Sequence, residues 1–305
     1  MSTMKKRGFV TVATGHEKYY VMARNLLSSY KFHNPNPLPF AIICDRTNKY
    51  TSSFDDIVLL DNPTFSFRDK LRLVDLAPYD ETIFIDADSL VCRCLDSLWD
   101  IVKGSPDFGI FGEVIDPDNP HFQTEVGRFR RSPWQVHFYC VSQGGMHFIR
   151  KSPSSGQFIQ LCDSIVSRHS EIYEFEGLPG SDGVFPLACS IFNYPPVEKW
   201  YKIFCFYPES DIKRLDIPNG VVNYYWRPGA MSADNCFFVH FGARFTDDWP
   251  YKREAYRIRC FSEGKHPSIV AYAFIRSSVI YNKAAREIGQ SGRKVKSFLS
   301  SVFKR

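Results

Sequence analysis

Residues 81–94 read ETIFIDADSLVCRC, and this stretch decides the fold. Ile83, Phe84 and Ile85 form a short β-branched and aromatic run, the pattern of a buried strand. Asp86 and Asp88 follow at once, where that strand ends. Ligands of open α/β sheets sit outside the carboxyl ends of the strands. Two carboxylates one residue apart at such an edge can converge on one hard divalent cation, Mn²⁺ or Mg²⁺, which also takes water and phosphate oxygens. Ala87 between them is small enough for a phosphate to approach closely. An ordinary polar turn, with Asp88 or Ser89 capping the next element, remains the alternative.

Strand and helix patterns alternate on both sides of this stretch. Phe9–Thr14 reads as a first strand, and Tyr20, Ala23, Leu26 and Leu27 mark a helix over Glu17–Tyr30. Phe40–Cys44 and Asp56–Leu60 read as strands, the first ending at Asp45. A short helix closed by Pro78 precedes the Ile83 strand, a short helix spans Leu95–Val102, and Asp107–Phe111 is a further strand. Phe138–Val141 and Met146–Arg150 read as two strands around Gly144–Gly145, Ser155–His169 as a helix, and Gly177–Gly183 as a turn. Phe237–Val239 is a last strand, ending at His240. Alternation of this kind predicts an α/β fold with a mixed, mainly parallel sheet flanked by helices. Residues 116–134 are polar, with three prolines and an arginine cluster, and read either as a mobile loop over the site or as a plain surface insertion.

With 305 residues, 44% of them hydrophobic, the chain can bury one large core. No apolar run approaches the length of a spanning helix, and the N-terminal apolar stretch is too short and too soon interrupted for a signal peptide. Nine cysteines, odd in number and without CxxC pairs, argue against a disulfide framework or a zinc site and for reduced thiols in a cytoplasmic protein. The net charge is +5, but from His266 onward eight Lys and Arg face one acid, Glu287. That tail carries +7 and Met1–Lys265 carry −2, so the basic segment is expected to do a separate job. The expected organisation is a domain over 7–265 and a basic helical extension over 266–305. Within the extension Val295, Phe298, Leu299, Val302 and Phe303 form one apolar stripe among basic residues. Residues 293–305 are thus expected either to lie peripherally on an anionic inner membrane leaflet or to pack on protein.

The motifs together resemble GT-A fold glycosyltransferases, family 8 in particular, over most of Arg7–Pro250. VTVATGHEKYY (Val10–Tyr20) resembles the family's nucleotide-contacting start. In RDKLRLVDLAPYDETIFIDADSLV (Arg68–Val91), Lys70 precedes the acidic strand and Asp86/Asp88 match the family's DxD. VSQGGMHFIRKS (Val141–Ser152) resembles the Asn-Ser-Gly strand, with Asn absent and Gln143 nearby, and GSDGVFPLA (Gly180–Ala188) an acidic motif beside the donor sugar and acceptor. FVHFGARFTDDWPY (Phe238–Tyr251) resembles the closing His-x-x-Gly-x-x-Lys-Pro-Trp motif, with a shorter His-to-Gly spacing and Trp249-Pro250 reversed.

The resemblance implies metal-dependent sugar transfer from a nucleotide diphosphate sugar, a UDP-sugar by family, to a glycan, glycolipid or other hydroxyl acceptor, with retention and without a nucleic-acid partner. Asp86, Asp88 and His240 are the expected metal ligands. Lys70, Arg244 or Lys252 would meet phosphate, and Thr11, Ala13, Tyr19 and Asp45 would flank the nucleoside. Asp182 would act on the acceptor hydroxyl or sugar, with Lys70 beside the reacting centre. Two other readings stand beside this one. Phe84–Val91 also resembles the first motif of haloacid-dehalogenase phosphatases, with Asp247/Asp248 as a late acidic pair. The third is a non-catalytic nucleotide-sugar-binding relative.

Overall fold

The computed structural model describes residues 7–66, 68–173, 180–227 and 231–284. Its strands are β1 Arg7–Ala13, β2 Phe40–Cys44, β3 Asp56–Leu59, β4 Glu81–Ile85, β5 Ser89–Val91, β6 Phe108–Val114 and β7 Cys140–Arg150. They continue with β8 Phe204–Phe206, β9 Ser210–Asp216, β10 Val221–Trp226, β11 Met231–Asp234 and β12 Phe238–His240. Six of them form the central sheet in the order β3-β2-β1-β4-β7-β6. β1 through β4 run parallel, as the alternation predicts, and β7 and β6 close the sheet antiparallel.

β2 is buried at every position, which suits a strand covered on both faces. The helix Glu17–His33 packs Tyr20, Ala23, Leu26, Leu27 and Tyr30 against one face of this sheet. The helices Pro153–Ser167 and Ser181–Ile191 cover the other, with Phe158 and Phe185 against Phe108. A small sheet, β5-β12-β8, carries the chain from the end of β4 to the last strand, and β11-β10-β9 forms an antiparallel outer ribbon.

Three sequence readings change. Gly144–Gly145 do not separate two strands; β7 runs unbroken through them. The glycines are there because neighbours press on the strand. A Cβ on Gly144 would collide with the Asp182 carboxylate, and one on Gly145 would lie 2.6 Å from His240 Nδ1. Gly183 is not in a turn but in the first turn of the helix Ser181–Ile191. Residues 116–134 are neither loop nor plain insertion throughout, since Gln123–Arg130 is a helix that buries Val126 and Phe129.

β5, β8, β9 and β11 have no counterpart in the sequence reading, being short or polar, and β10, VVNYYW, is a β-branched and aromatic run that the reading passes over. Residues 293–305 lie outside the described residues. Among the described residues no helix is long and apolar enough to cross a membrane.

Candidate active site

The site is built where β4 ends. Asp86, Ala87 and Asp88 form a tight turn into β5, closed by the Ser89 amide donating to Asp86 O at 3.1 Å, while the Asp86 amide donates to Gly145 O on β7 at 3.0 Å. β5 pairs antiparallel with β12, which sets His240 opposite Ser89. The Phe241 amide then donates to Asp88 O at 3.1 Å. Two strand pairings thus bring a His from position 240 beside two aspartates some 150 residues earlier. One ligand atom from each of Asp86, Asp88 and His240 lies within 4.8 Å of the others. Gly242, with φ 73°, turns the chain away immediately after this strand.

The electrostatics of this cluster are those of a cation site. His240 Nε2 stands 3.0 Å from Asp88 Oδ1 and 3.8 Å from Asp86 Oδ2. Asp88 Oδ1 and His240 Nδ1 are nonetheless buried without a hydrogen-bond partner. Burial pushes the Asp88 carboxyl up, but the charges of His240 and Lys70 outweigh it and hold it below its ordinary range. Burial pushes His240 down, yet Asp88 and Asp86 hold it above its ordinary value. Two carboxylates and an imidazole around orphaned buried atoms fit Mn²⁺ or Mg²⁺ through oxygen and nitrogen donors.

Lys70 lies over this cluster. Its Nζ donates to Asp86 Oδ2 at 2.6 Å and sits 5.5 Å from the centre of the Phe84 ring. Burial lowers the Lys70 pKa, but Asp86, Asp88 and Asp182 raise it more, so the ammonium stays charged.

A cavity of about 240 Å³ opens beside the turn, lined by Lys70, Asp86, Ala87, Asp88, Tyr19 and Phe65 among others. Tyr19, an expected nucleoside contact, lines it. Thr11 and Ala13 do not. They share the face of β1 that carries Phe9 toward the helix Glu17–His33, and the strand offers Val12 and Thr14 to the cavity instead. Asp45 does not line it either. Its carboxylate accepts from the Gly15 amide, the Tyr20 hydroxyl and Arg46, so it shapes the turn after β1. Arg244 lines a neighbouring cavity of about 760 Å³ with Lys18, Asp247 and Lys283. Lys252 pairs with Asp247 at 3.5 Å.

Phe65 and Asp69 were not legible in the sequence. Phe65 is exposed at φ 53°, a backbone conformation that side chains rarely adopt. Buried Asp69 holds it there, accepting from the Phe65 amide, the Thr64 amide and hydroxyl, and the Thr14 hydroxyl. One carboxylate thereby ties together two walls of the cavity.

Across Gly144–Gly145 lies a second cavity of about 600 Å³, lined by Asp182, Gln143, Glu209, Trp200, Tyr201 and Trp226, with His121, Phe122, Glu125 and Arg128 from residues 120–130. Asp182 is open to this space, but the surrounding protein displaces enough water to raise its carboxyl pKa, with Asp86 adding to the rise and Lys70 and His240 opposing it. Tyr201 stacks on Trp226 at 4.4 Å, and Trp200 meets the same indole edge-on at 4.9 Å. Such an aromatic wall with carboxylates suits the faces and hydroxyls of a sugar.

The second acid pair of the phosphatase reading does not join this centre. Asp247 is engaged by Lys18 at 2.8 Å and, with Asp248, lines the Arg244 cavity rather than that of Asp86.

No family model and no curated protein matches the chain. Solved structures do. The galactosyltransferase LgtC, in complex with donor and acceptor sugar analogs, aligns over 88% of this chain and 99% of its own, at 11% identity and a TM-score of 0.53. An active-site mutant of LgtC aligns over the same shares at 11% identity and a TM-score of 0.50. The apo bifunctional glycosyltransferase WbbM aligns over 79% of this chain and 46% of its own, at 11% identity and a TM-score of 0.45. The alignment with LgtC shows that the chain has a GT-A glycosyltransferase fold resembling that of family 8.

Proposed function

We propose that this protein is a glycosyltransferase that moves a sugar from a nucleotide diphosphate sugar, a UDP-sugar by the resemblance, to a hydroxyl of a glycan or glycolipid. The observation that carries this reading is the convergence of Asp86, Asp88 and His240 at the mouth of a cavity that Lys70 overhangs. The fold supports it, since Asp86 and Asp88 follow the carboxyl end of β4 in a GT-A architecture and His240, at the end of β12, is set beside them. Asp86, Asp88 and His240 would hold the divalent ion. When bound, that ion supplies positive charge for the leaving diphosphate.

The chain's own residues do the rest. Lys70 offers an ammonium that stays protonated, and donates to the phosphate or donor sugar as negative charge grows on the leaving group. Tyr19 and Phe65 face the cavity as aromatic surfaces for the nucleobase. Asp182, on the acceptor side of Gly144–Gly145, orients the acceptor hydroxyl or stabilises positive charge on the sugar. The aromatic wall of Trp200, Tyr201 and Trp226 seats the acceptor and keeps water from competing. Retention follows by resemblance to family 8.

The test is a screen of nucleotide sugars for hydrolysis and transfer with Mn²⁺, with Mg²⁺ and with chelator, alongside thermal stabilisation by the same ligands. A metal-dependent release of nucleotide diphosphate from one donor is expected. Turnover of simple phosphate esters, or no stabilisation by any nucleotide sugar with metal, would overturn the reading. We place the protein in the cytoplasm, at the inner leaflet of the membrane.

A further inference from the structure

Residues 269–284 form a helix that lies on the body by one face only. Tyr272 meets Trp249 at 6.0 Å and Tyr256 at 5.6 Å between ring centres, and the Ser268 amide donates to the Tyr256 hydroxyl at 3.1 Å. Ala271, Ile275, Ser278, Val279 and Asn282 recur at helical spacing with Tyr272 and are half-buried on that side. Among the described residues, nothing covers the opposite side. Ile269 is 85% exposed, Val270 78%, Phe274 76%, Ile280 62% and Tyr281 74%. Ala273, Ser277 and Ala284 fill the same face, and no charged residue falls on it. Arg276 and Lys283, seven residues apart, border it on one flank.

The crevices beside the helix hold basic side chains, several of them paired with acids. One, of about 630 Å³, is lined by Arg253, Arg257 and Arg276 together with Leu215 and Trp249; Arg253 pairs with Glu254, and Arg257 with Asp216 and Glu254, so Arg276 carries the positive charge on the helix side. The other is the Arg244 cavity, where Lys18 and Lys283 contribute cations and Asp247 and Asp248 offset part of the charge. The chain from His266 onward carries eight basic residues against one acid. An apolar strip of this size at a polar surface marks a docking face.

We propose that the exposed face of residues 269–284 docks on an anionic lipid bilayer. Val270, Phe274, Ile280 and Tyr281 enter the boundary between headgroups and acyl chains, and Arg276 and Lys283 meet the lipid phosphates beside them. A second copy of the chain is the poorer occupant, because pairing would bring like positive charge against like. The inference does not depend on the glycosyltransferase reading.

The test uses the full chain with vesicles of phosphatidylglycerol mixed with phosphatidylcholine, and with phosphatidylcholine alone. Wild-type protein is expected to co-sediment with the anionic vesicles at low salt and to be released by added salt. A Phe274→Glu, Ile280→Glu variant is expected to lose at least tenfold in binding while donor hydrolysis in solution is unchanged. Should that variant fold poorly, Arg276→Glu and Lys283→Glu are each expected to weaken binding by about fivefold or more. Equal sedimentation of wild type and variants overturns the proposal. So does failure of the wild type to bind anionic vesicles at low salt, or a wild-type dimer in solution that the Phe274→Glu, Ile280→Glu change dissolves.

Discussion

His240 Nε2 approaches Asp88 Oδ1 to 3.0 Å, yet Asp88 Oδ1 has no hydrogen-bond partner. An imidazole nitrogen and a carboxylate oxygen this close, with an Asp86 oxygen within 4.8 Å of both, offer donor atoms to one shared cation. Asp88→Asn is therefore expected to lower metal-dependent donor hydrolysis by roughly 100-fold or more, beyond the 10–100-fold typical of groups behind the ligands. His240→Ala should raise the Mn²⁺ concentration needed for half-maximal activity. Metal titrations of both variants, with melting curves to confirm folding, decide this; unchanged metal dependence in the folded His240 variant would return that residue to a structural role.

Gly144 and Gly145 separate the two cavities, and each is pressed by a different side chain. Gly145→Ala places a methyl 2.6 Å from His240 Nδ1, so the imidazole must move and the metal requirement should rise. Gly144→Ala displaces the Asp182 carboxylate instead and should lower turnover with donor affinity kept. Steady-state kinetics with separate donor-binding measurements distinguish the two. Identical effects of both substitutions would contradict a division of labour across the strand.

Lys70→Met removes the ammonium 2.6 Å from Asp86 Oδ2. Losing a charge-assisted hydrogen bond to the donor should weaken its binding by roughly 10–100-fold. The check is calorimetric titration of nucleotide diphosphate with metal present. Donor affinity equal to wild type would confine Lys70 to neutralising Asp86.

Asp182→Asn keeps the shape of the side chain and removes its charge. Turnover is expected to fall by at least tenfold, with the dissociation constant of the donor within about twofold of wild type. A parallel loss of donor affinity would count against a role on the acceptor or sugar.

His147 sits buried on β7, stacked on Phe84, with neither ring nitrogen hydrogen-bonded. Burial, with Lys70 nearby, depresses its pKa from 6.5 to about 3. Between those values the unfolded chain holds a proton that the folded protein refuses, so stability falls as pH drops below 6.5. The slope is at most about 1.4 kcal/mol per pH unit. His147→Leu should flatten this dependence between pH 6.5 and 4. Denaturant unfolding across that range, compared with wild type, measures the difference, and equal slopes would refute the assignment.

The sequence by itself determined the strands of the parallel half, because each is a local apolar run whose burial follows from composition. It also determined Asp86 and Asp88 as a pair, since adjacency in the chain and the end of a strand are local facts. His240 was legible only as a strand end, and its place beside Asp88 depends on the β5–β12 register, which tertiary pairing decides. Thr11 and Ala13 show the limit of local pattern. Alternation along β1 is visible in the chain, but which face meets the helix layer and which meets the cavity is not. Gly144–Gly145 looked like a break because glycine weakens strands, whereas Asp182 and His240 require it there by closing in from distant segments. The cavity wall of Trp200, Tyr201, Trp226 and Glu209 comes from separate segments of the chain, only one of which, β10, shows a strand period. Only packing brings those side chains to one cavity, so no local rule points to them.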